Sequence, residues 1–149
     1  MKQLTPNLWF EGNAKEAVDF YVSVFPDSEI TGSTNYPHEG LADFQKELAG
    51  KPLTIDFVLS GNHFTAINAG PEFKFNESVS FVIPCKDQAE IDYYWGKLSA
   101  VPASEQCGWC KDKYGLSWQV VPENMEALMQ RPNAFAKLME MKKLIIADF

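Results

Sequence analysis

Few residues in this chain have the types and spacing to do chemistry. Cys107-Gly108-Trp109-Cys110 is a C-x-x-C, the spacing of redox disulfides and of half a zinc site. A redox pair of this kind sits at a helix N-terminus, where the dipole lowers the thiol pKa. Here the motif lies in a stretch that reads as extended, "SEQCGWCKDKYGLSWQVV", with a turn at 112–115. Residues three apart in a strand point to opposite faces with Cα atoms roughly 10 Å apart, beyond the ~7 Å a disulfide spans. The two thiols are therefore expected to be unbonded, Cys107 on the face of Trp109 and Cys110 beside Trp118. No second C-x-x-C completes a zinc site, and Cys85 alone is a poor supplement. The two histidines, His38 and His63, form no H-x-H or H-x-x-x-H, and no spacing brings either to a cysteine. Asp56 is the one carboxylate in the apolar run "LTIDFVL". As a general base it would need burial to raise its pKa; as an exposed-face strand residue it needs no chemical role. Glu72 and Asp112 read as solvated turn residues.

The frame that must position these groups is a soluble one. The chain has 149 residues, 46% of them apolar and 22% charged, enough for a single domain with a core. A net charge of −7 argues against nucleic acid or an anionic membrane as partner. No apolar run approaches the ~18 residues of a membrane span, and "MKQLTPNLWFEGN" lacks the form of a signal peptide. An odd cysteine count suits a reducing compartment, so a cytoplasmic protein is expected.

Within that frame the chain repeats itself. "AVDFYVSVF" aligns with "EIDYYWGKL", pairing Asp19 with Asp92, Phe20 with Tyr93 and Tyr21 with Tyr94; the same offset pairs "TPNLWF" with "SVSFVI". Each copy opens on a strand, with Leu8 and Phe10 in the first and Val79, Phe81 and Ile83 in the second. A helix follows, with cap spacing at Asn13/Glu16 and Asp87/Glu90. Ala14, Ala17, Val18, Tyr21, Val22 and Phe25 make one apolar stripe; Ile91, Tyr94, Trp95 and Leu98 make the other. Pro26 ends the first helix and Pro102 follows the second. About three strands come next in each copy, including a hairpin expected to turn at Gly61-Asn62. Leu41, Phe44 and Leu48 have helical spacing, predicting a short helix or flap. The expected class is α+β: tandem βαβββ modules over roughly 1–72 and 73–122, with a C-terminal helical tail over 123–149.

The stretches "TPNLWFEGNAKEAVDFYVSVFPDSEI", "INAGPEFKFNESVSF", "DQAEIDYYWGKLS" and "QCGWCKDKYGLSWQVVP", with "MKKLIIA" in the tail, closely resemble the PhnB-like group of the vicinal oxygen chelate (glyoxalase/bleomycin-resistance) superfamily, often labelled 3-demethylubiquinone 3-methyltransferase-like. The resemblance implies modules that form a curved mixed sheet around a shared cavity, with metal ligands, where present, on the first and last strand of each module. Those positions fall here at Thr5, Ser78 and Gln119, with Asn68 the most ligand-like residue on the remaining strand. Hydroxyls and neutral amides are weak ligands for divalent transition metals, so no bound catalytic metal and no cofactor are expected. None of the nine glycines forms a G-x-G, which argues against the Gly-rich nucleotide turn of common S-adenosylmethionine-binding folds.

Strand alternation places Asn7 and Trp9 opposite Leu8 and Phe10, Ser78 and Ser80 opposite Val79 and Phe81, and Gln119 opposite Trp118. With Asn68 and Trp109 these are the expected ligand-binding residues. The resemblance implies two functions: a metal-independent small-molecule-binding protein, expected to be a homodimer, or an enzyme of the glyoxalase type, a lyase or isomerase or one acting on a quinone or phosphonate-like substrate, with a recruited divalent metal.

Overall fold

The computed structural model describes residues 2–149. The chain divides into two compact units, the first running through Lys74 and the second from Phe75 to Phe149.

The first unit contains strand β1 (Asn7–Glu11), helix α1 (Ala14–Val24), and strands β2 (Glu29–Asn35), β3 (Pro52–Leu59) and β4 (Asn62–Ala69). They form one mixed sheet in the order β1-β4-β3-β2. β1 and β4 are parallel, with Asn7 opposite Thr65 and Trp9 opposite Ile67; the other pairings are antiparallel. Alternation decides which side is covered. Leu8, Phe10, Ile55, Phe57, Leu59, Phe64 and Ala66 are buried together with Ala14, Ala17, Val18, Tyr21 and Val24 of α1. Removing this apolar surface from water is what docks the helix on the sheet. Val22 and Phe25, expected in the stripe, are only half-buried.

Two local expectations change. The β3–β4 hairpin turns at Ser60-Gly61, both with positive φ (48° and 85°), and Leu59 pairs with Asn62. This is the two-residue geometry whose twist matches the flanking strands, one residue earlier than expected. Asn13 makes no side-chain cap on α1. The first amide of the helix, that of Ala14, donates instead to Asn68 Oδ1 on β4 at 3.1 Å.

The second unit contains β5 (Ser80–Cys85), α2 (Gln88–Leu98), β6 (Trp109–Lys111) and β7 (Ser117–Pro122), then short helices α3 (Met125–Leu128) and α4 (Ala134–Glu140). The sheet order is β5-β7-β6, with β5 and β7 parallel. Here Asp87 does cap its helix, accepting from the Glu90 amide at 2.9 Å. This sheet has three strands where the first has four. The 99–108 stretch holds a single 3-10 turn, Pro102–Ser104, and one isolated bridge between Gln106 and Trp109.

That bridge places the C-x-x-C. Cys107 (φ 51°) and Gly108 (φ 86°) are the two central residues of a tight turn, with hydrogen bonds in both directions between Gln106 and Trp109. Cys107 is thus a turn residue rather than a strand residue on the face of Trp109. Cys110 is buried opposite Trp118, and all three thiols are free. The amides of Cys107 and Gly108 donate to the carbonyls of Met141 and Lys142 at 2.8 Å each, fixing the turn to the tail. Further ties are Gln88 to Leu144 O and Ile146 N, and Lys143 to Asp92 at 2.7 Å. The tail closes a small core of Leu128, Ala134, Leu144 and Phe149.

Asp112, expected to be solvated, is 1% exposed. The hairpin closes as Gly115 (φ 91°) requires, with Asp112 N–H donating to Leu116 O. The Asp112 carboxylate accepts the amides of Tyr114 (2.9 Å) and Leu116 (3.1 Å) and the indole N–H of Trp118 (2.9 Å). Three donors compensate its burial. No helix among the described residues is long and apolar enough to cross a membrane.

Candidate functional site

In the first unit the sheet face opposite α1 carries Trp9, Ile67, Thr54 and Thr34 in one row and Asn7, Thr65, Asp56 and Gly32 in the next, by register. Above the first row lies a cavity of about 450 Å³, whose lining includes Trp9, Tyr36, Phe44, Gln45, Ile67 and Glu72. A volume of this size suits a small organic ligand. Part of the cover is the 3-10 turn Asp43–Leu48, which contributes Phe44, Gln45 and Leu48. Its stretch is bounded by Gly40 (φ 81°) and Gly50 (φ 73°), and its base is pinned by reciprocal bonds of Tyr36 with Gly50 and Lys51.

Trp9 is held firmly. Its indole N–H donates to Gly70 O at 2.9 Å, and Phe73 packs edge-on at 4.8 Å between centroids. Tyr36 is buried and donates its hydroxyl to Asn68 O at 2.6 Å. Burial raises its pKa above the ordinary phenol value, and the nearby charge of Glu72 raises it further.

Asn68 does not face this cavity. It stands one residue past Ile67 on β4, so alternation turns it to the helix side, where it is 5% exposed. Its amide is committed to Ala14 N–H and to Pro52 O at 2.9 Å. Matching the ladders β1–β4 and β5–β7 shows that the residue in the place of Gln119 is Ile67. Asn7 is exposed and bonds Thr5 O. A second, polar hollow of about 380 Å³ on the same unit is lined by residues including Thr5, Asp56, His63 and Thr65. Asp56 is exposed there, lacking the burial a general base would need, and accepts from the Thr65 hydroxyl at 2.6 Å.

In the second unit, register sets Val82, Gln119 and Trp109 in a row, with Ser80 and Ser117 in the next. Gln119 Nε2 donates to Ser80 Oγ at 2.9 Å. Ser78 lies exposed before β5, bonded to Asn76. The structure thus joins Ser80, Gln119 and Trp109 on one sheet face and puts Trp9 in a cavity. Tyr36, Gln45 and Glu72 were not anticipated as lining; Leu41, Phe44 and Leu48 were visible only as a spacing.

Compared with known families, residues 2–121 match the 3-demethylubiquinone-9 3-methyltransferase family. The chain belongs to this family. It is the PhnB-like group of the vicinal oxygen chelate superfamily. A PhnB protein from Bacillus cereus, described as a candidate 3-demethylubiquinone-9 3-methyltransferase, is 32% identical, with a TM-score of 0.64 over 80% of this chain and 99% of that one. The fosfomycin resistance protein FosX from Listeria monocytogenes is 14% identical, with a TM-score of 0.52 over 87% of this chain and 98% of that one. A mutant of FosX complexed with Mn(II) and dihydroxypropylphosphonic acid is 15% identical, with a TM-score of 0.51 over 80% and 91%. At those identities the likeness to FosX is one of fold. No curated protein matches significantly.

The PhnB-like family and its superfamily imply two bound groups, a divalent metal and S-adenosylmethionine, and the donor chemistry fits neither. For a divalent metal, the four family positions hold Thr5, Ile67, Ser78 and Gln119. Isoleucine offers no donor, Gln119 is engaged with Ser80, and the hydroxyls carry no charge. For S-adenosylmethionine, the strand-to-helix turn before α1 holds one glycine, Gly12, and the first helical amide is already occupied by Asn68. A helix start closed by its own protein offers less to an anionic or nucleotide ligand than an open one.

Proposed function

We propose that this PhnB-like protein binds a small, largely apolar molecule in the Trp9 cavity without a catalytic metal. The observation that carries the reading is the cavity itself, some 450 Å³ lined mainly by aromatic and aliphatic side chains with few polar groups. That is the usual composition of a ligand pocket. The weak donor set at the metal positions of the fold supports the metal-independent part. A methyltransferase reading has no nucleotide turn to rest on, and an enzyme reading based on Asp56 has no buried base.

The neutral dye N-phenyl-1-naphthylamine, which brightens in apolar surroundings, tests the reading. Saturable one-to-one binding is expected, unchanged after dialysis against a chelator. It should be lost in Ile67→Trp, whose larger side chain fills the cavity, while circular dichroism stays native. Equal binding by a folded Ile67→Trp overturns the site. Near-stoichiometric Mn, Fe, Ni or Zn in the purified protein, with binding lost on its removal, overturns metal independence.

A further inference from the structure

We propose that the Trp9 cavity selects a cationic ligand, an amine or alkylated ammonium on an apolar body. This rests on the cavity being the binding site and adds the charge of what enters it. Among the described residues lining the cavity, Glu72 is the one carboxylic acid, and there is no Lys, Arg or His. The basic residue of the covering turn, Lys46, is paired with Asp43 at 3.0 Å.

The carboxylate is placed by the backbone. A Cβ built on Gly70 would lie 2.7 Å and 2.9 Å from the two oxygens of Glu72. The acid therefore folds into the space that the missing side chain of Gly70 leaves. The carbonyl of that same glycine accepts the indole N–H of Trp9. Gly70 thus holds an indole with its carbonyl and gives room to a carboxylate at its Cα. Tyr36, whose phenol senses the charge of Glu72, and Phe44 complete three aromatic rings around the same space.

Aromatic faces carry negative potential, and alkylated ammonium groups bind to such cages. A nearby carboxylate adds a full charge of the same sign. A phosphonate or sulfonate would meet those rings and that carboxylate with no basic side chain from the lining in compensation. A neutral ligand would find the apolar walls but gain no charge attraction from Glu72.

The test uses three probes that share an aromatic ring: benzyltrimethylammonium, benzyl alcohol and benzenesulfonate. Each is titrated into the protein while the Trp9 indole N–H resonance, assigned with Trp9→Phe, is followed by NMR. The cation should bind about tenfold or more tighter than the alcohol, and the sulfonate weakest. Glu72→Gln, an exposed and near-isosteric change, should cost the cation about tenfold and leave the alcohol, whose hydroxyl can still donate to the amide oxygen, within about twofold. Glu29→Gln, an exposed carboxylate on β2 away from the lining, should alter neither. Alcohol or sulfonate binding as tightly as the cation, or a cation indifferent to Glu72→Gln, overturns the charge selection and leaves the cavity standing. If no probe moves the indole, both the selection and the cavity reading fall.

Discussion

Replacing Asp112 tests how the second unit is held. Its carboxylate accepts three N–H groups, and the bonds from Leu116 and Trp118 are buried. Asp112→Ala strands those two buried donors and exposes a third, partly buried one. Each buried donor left without a partner costs about 1–3 kcal/mol, which gives a loss of about 4 kcal/mol. Asp112→Asn is the discriminating variant. Its remaining oxygen can still accept from Tyr114 and Leu116, as Oδ1 does, but its NH₂ would face the Trp118 indole N–H, donor against donor. The expected loss is about 2 kcal/mol. At a urea slope of roughly 2 kcal/mol per molar, the midpoints should fall by about 2 M for Ala and about 1 M for Asn. Urea melts followed by circular dichroism measure this, with the Trp118 indole resonance reporting the local bond. In a Trp118→Phe background the donor conflict disappears, so the Asp→Asn step should become cheaper by about 1 kcal/mol. A loss below about 1 kcal/mol for Ala, or an Asn cost unchanged by Trp118→Phe, would refute the three-donor account.

Asn68→Ala should destabilise the protein by about 1–3 kcal/mol in a urea melt, because Ala14 N–H and Pro52 O lose their partner. Its ligand affinity should stay unchanged; the reverse pattern would return Asn68 to the binding site. Gly108→Ala combines a positive φ with a Cβ 3.0 Å from Val120 O, and should lower the midpoint more than Gly12→Ala, whose Cβ meets nothing within 4 Å. Burial pushes the Cys85 and Cys110 thiols up to about 12, whereas an unfolded thiol titrates near ~8.5. Their contribution to stability is full below about pH 8.5 and lost as pH rises toward about 12. A Cys85→Ala/Cys110→Ala variant should therefore show a flatter fall of stability across that alkaline window, and an identical slope would contradict it. At pH 8 a thiol reagent should modify Cys107 quickly and the other two slowly.

The repeat made the architecture legible. Aligned pairs such as Asp19/Asp92 fix one offset, and that offset located the opening strand and the helix of both units. Register beyond the aligned segments was not legible in the same way. Asn68 has the chemistry of a ligand, whereas the β1–β4 ladder puts Ile67 in that place and turns Asn68 to cap α1. Asp112 has the local signature of a turn, but its burial depends on Trp118 arriving from the neighbouring strand, a nonlocal event. The cavity follows the same logic. Trp9 came from strand alternation, while Tyr36 and Glu72 enter from loops, where no periodicity marks which way a side chain points.

The unequal sheets set unequal folding tasks. Both units must pair two parallel strands, but the intervening chain differs. To join β1 to β4, the first unit must collect α1, β2, the excursion that carries the 3-10 turn, and β3. To join β5 to β7, the second unit spans only α2, one 3-10 turn and the short β6. Closing the longer loop costs more chain entropy before any contact rewards it, and nonlocal pairing slows folding. The missing fourth strand thus gives the second unit the shorter search, so its parallel ladder is the one expected to form first when the chain refolds.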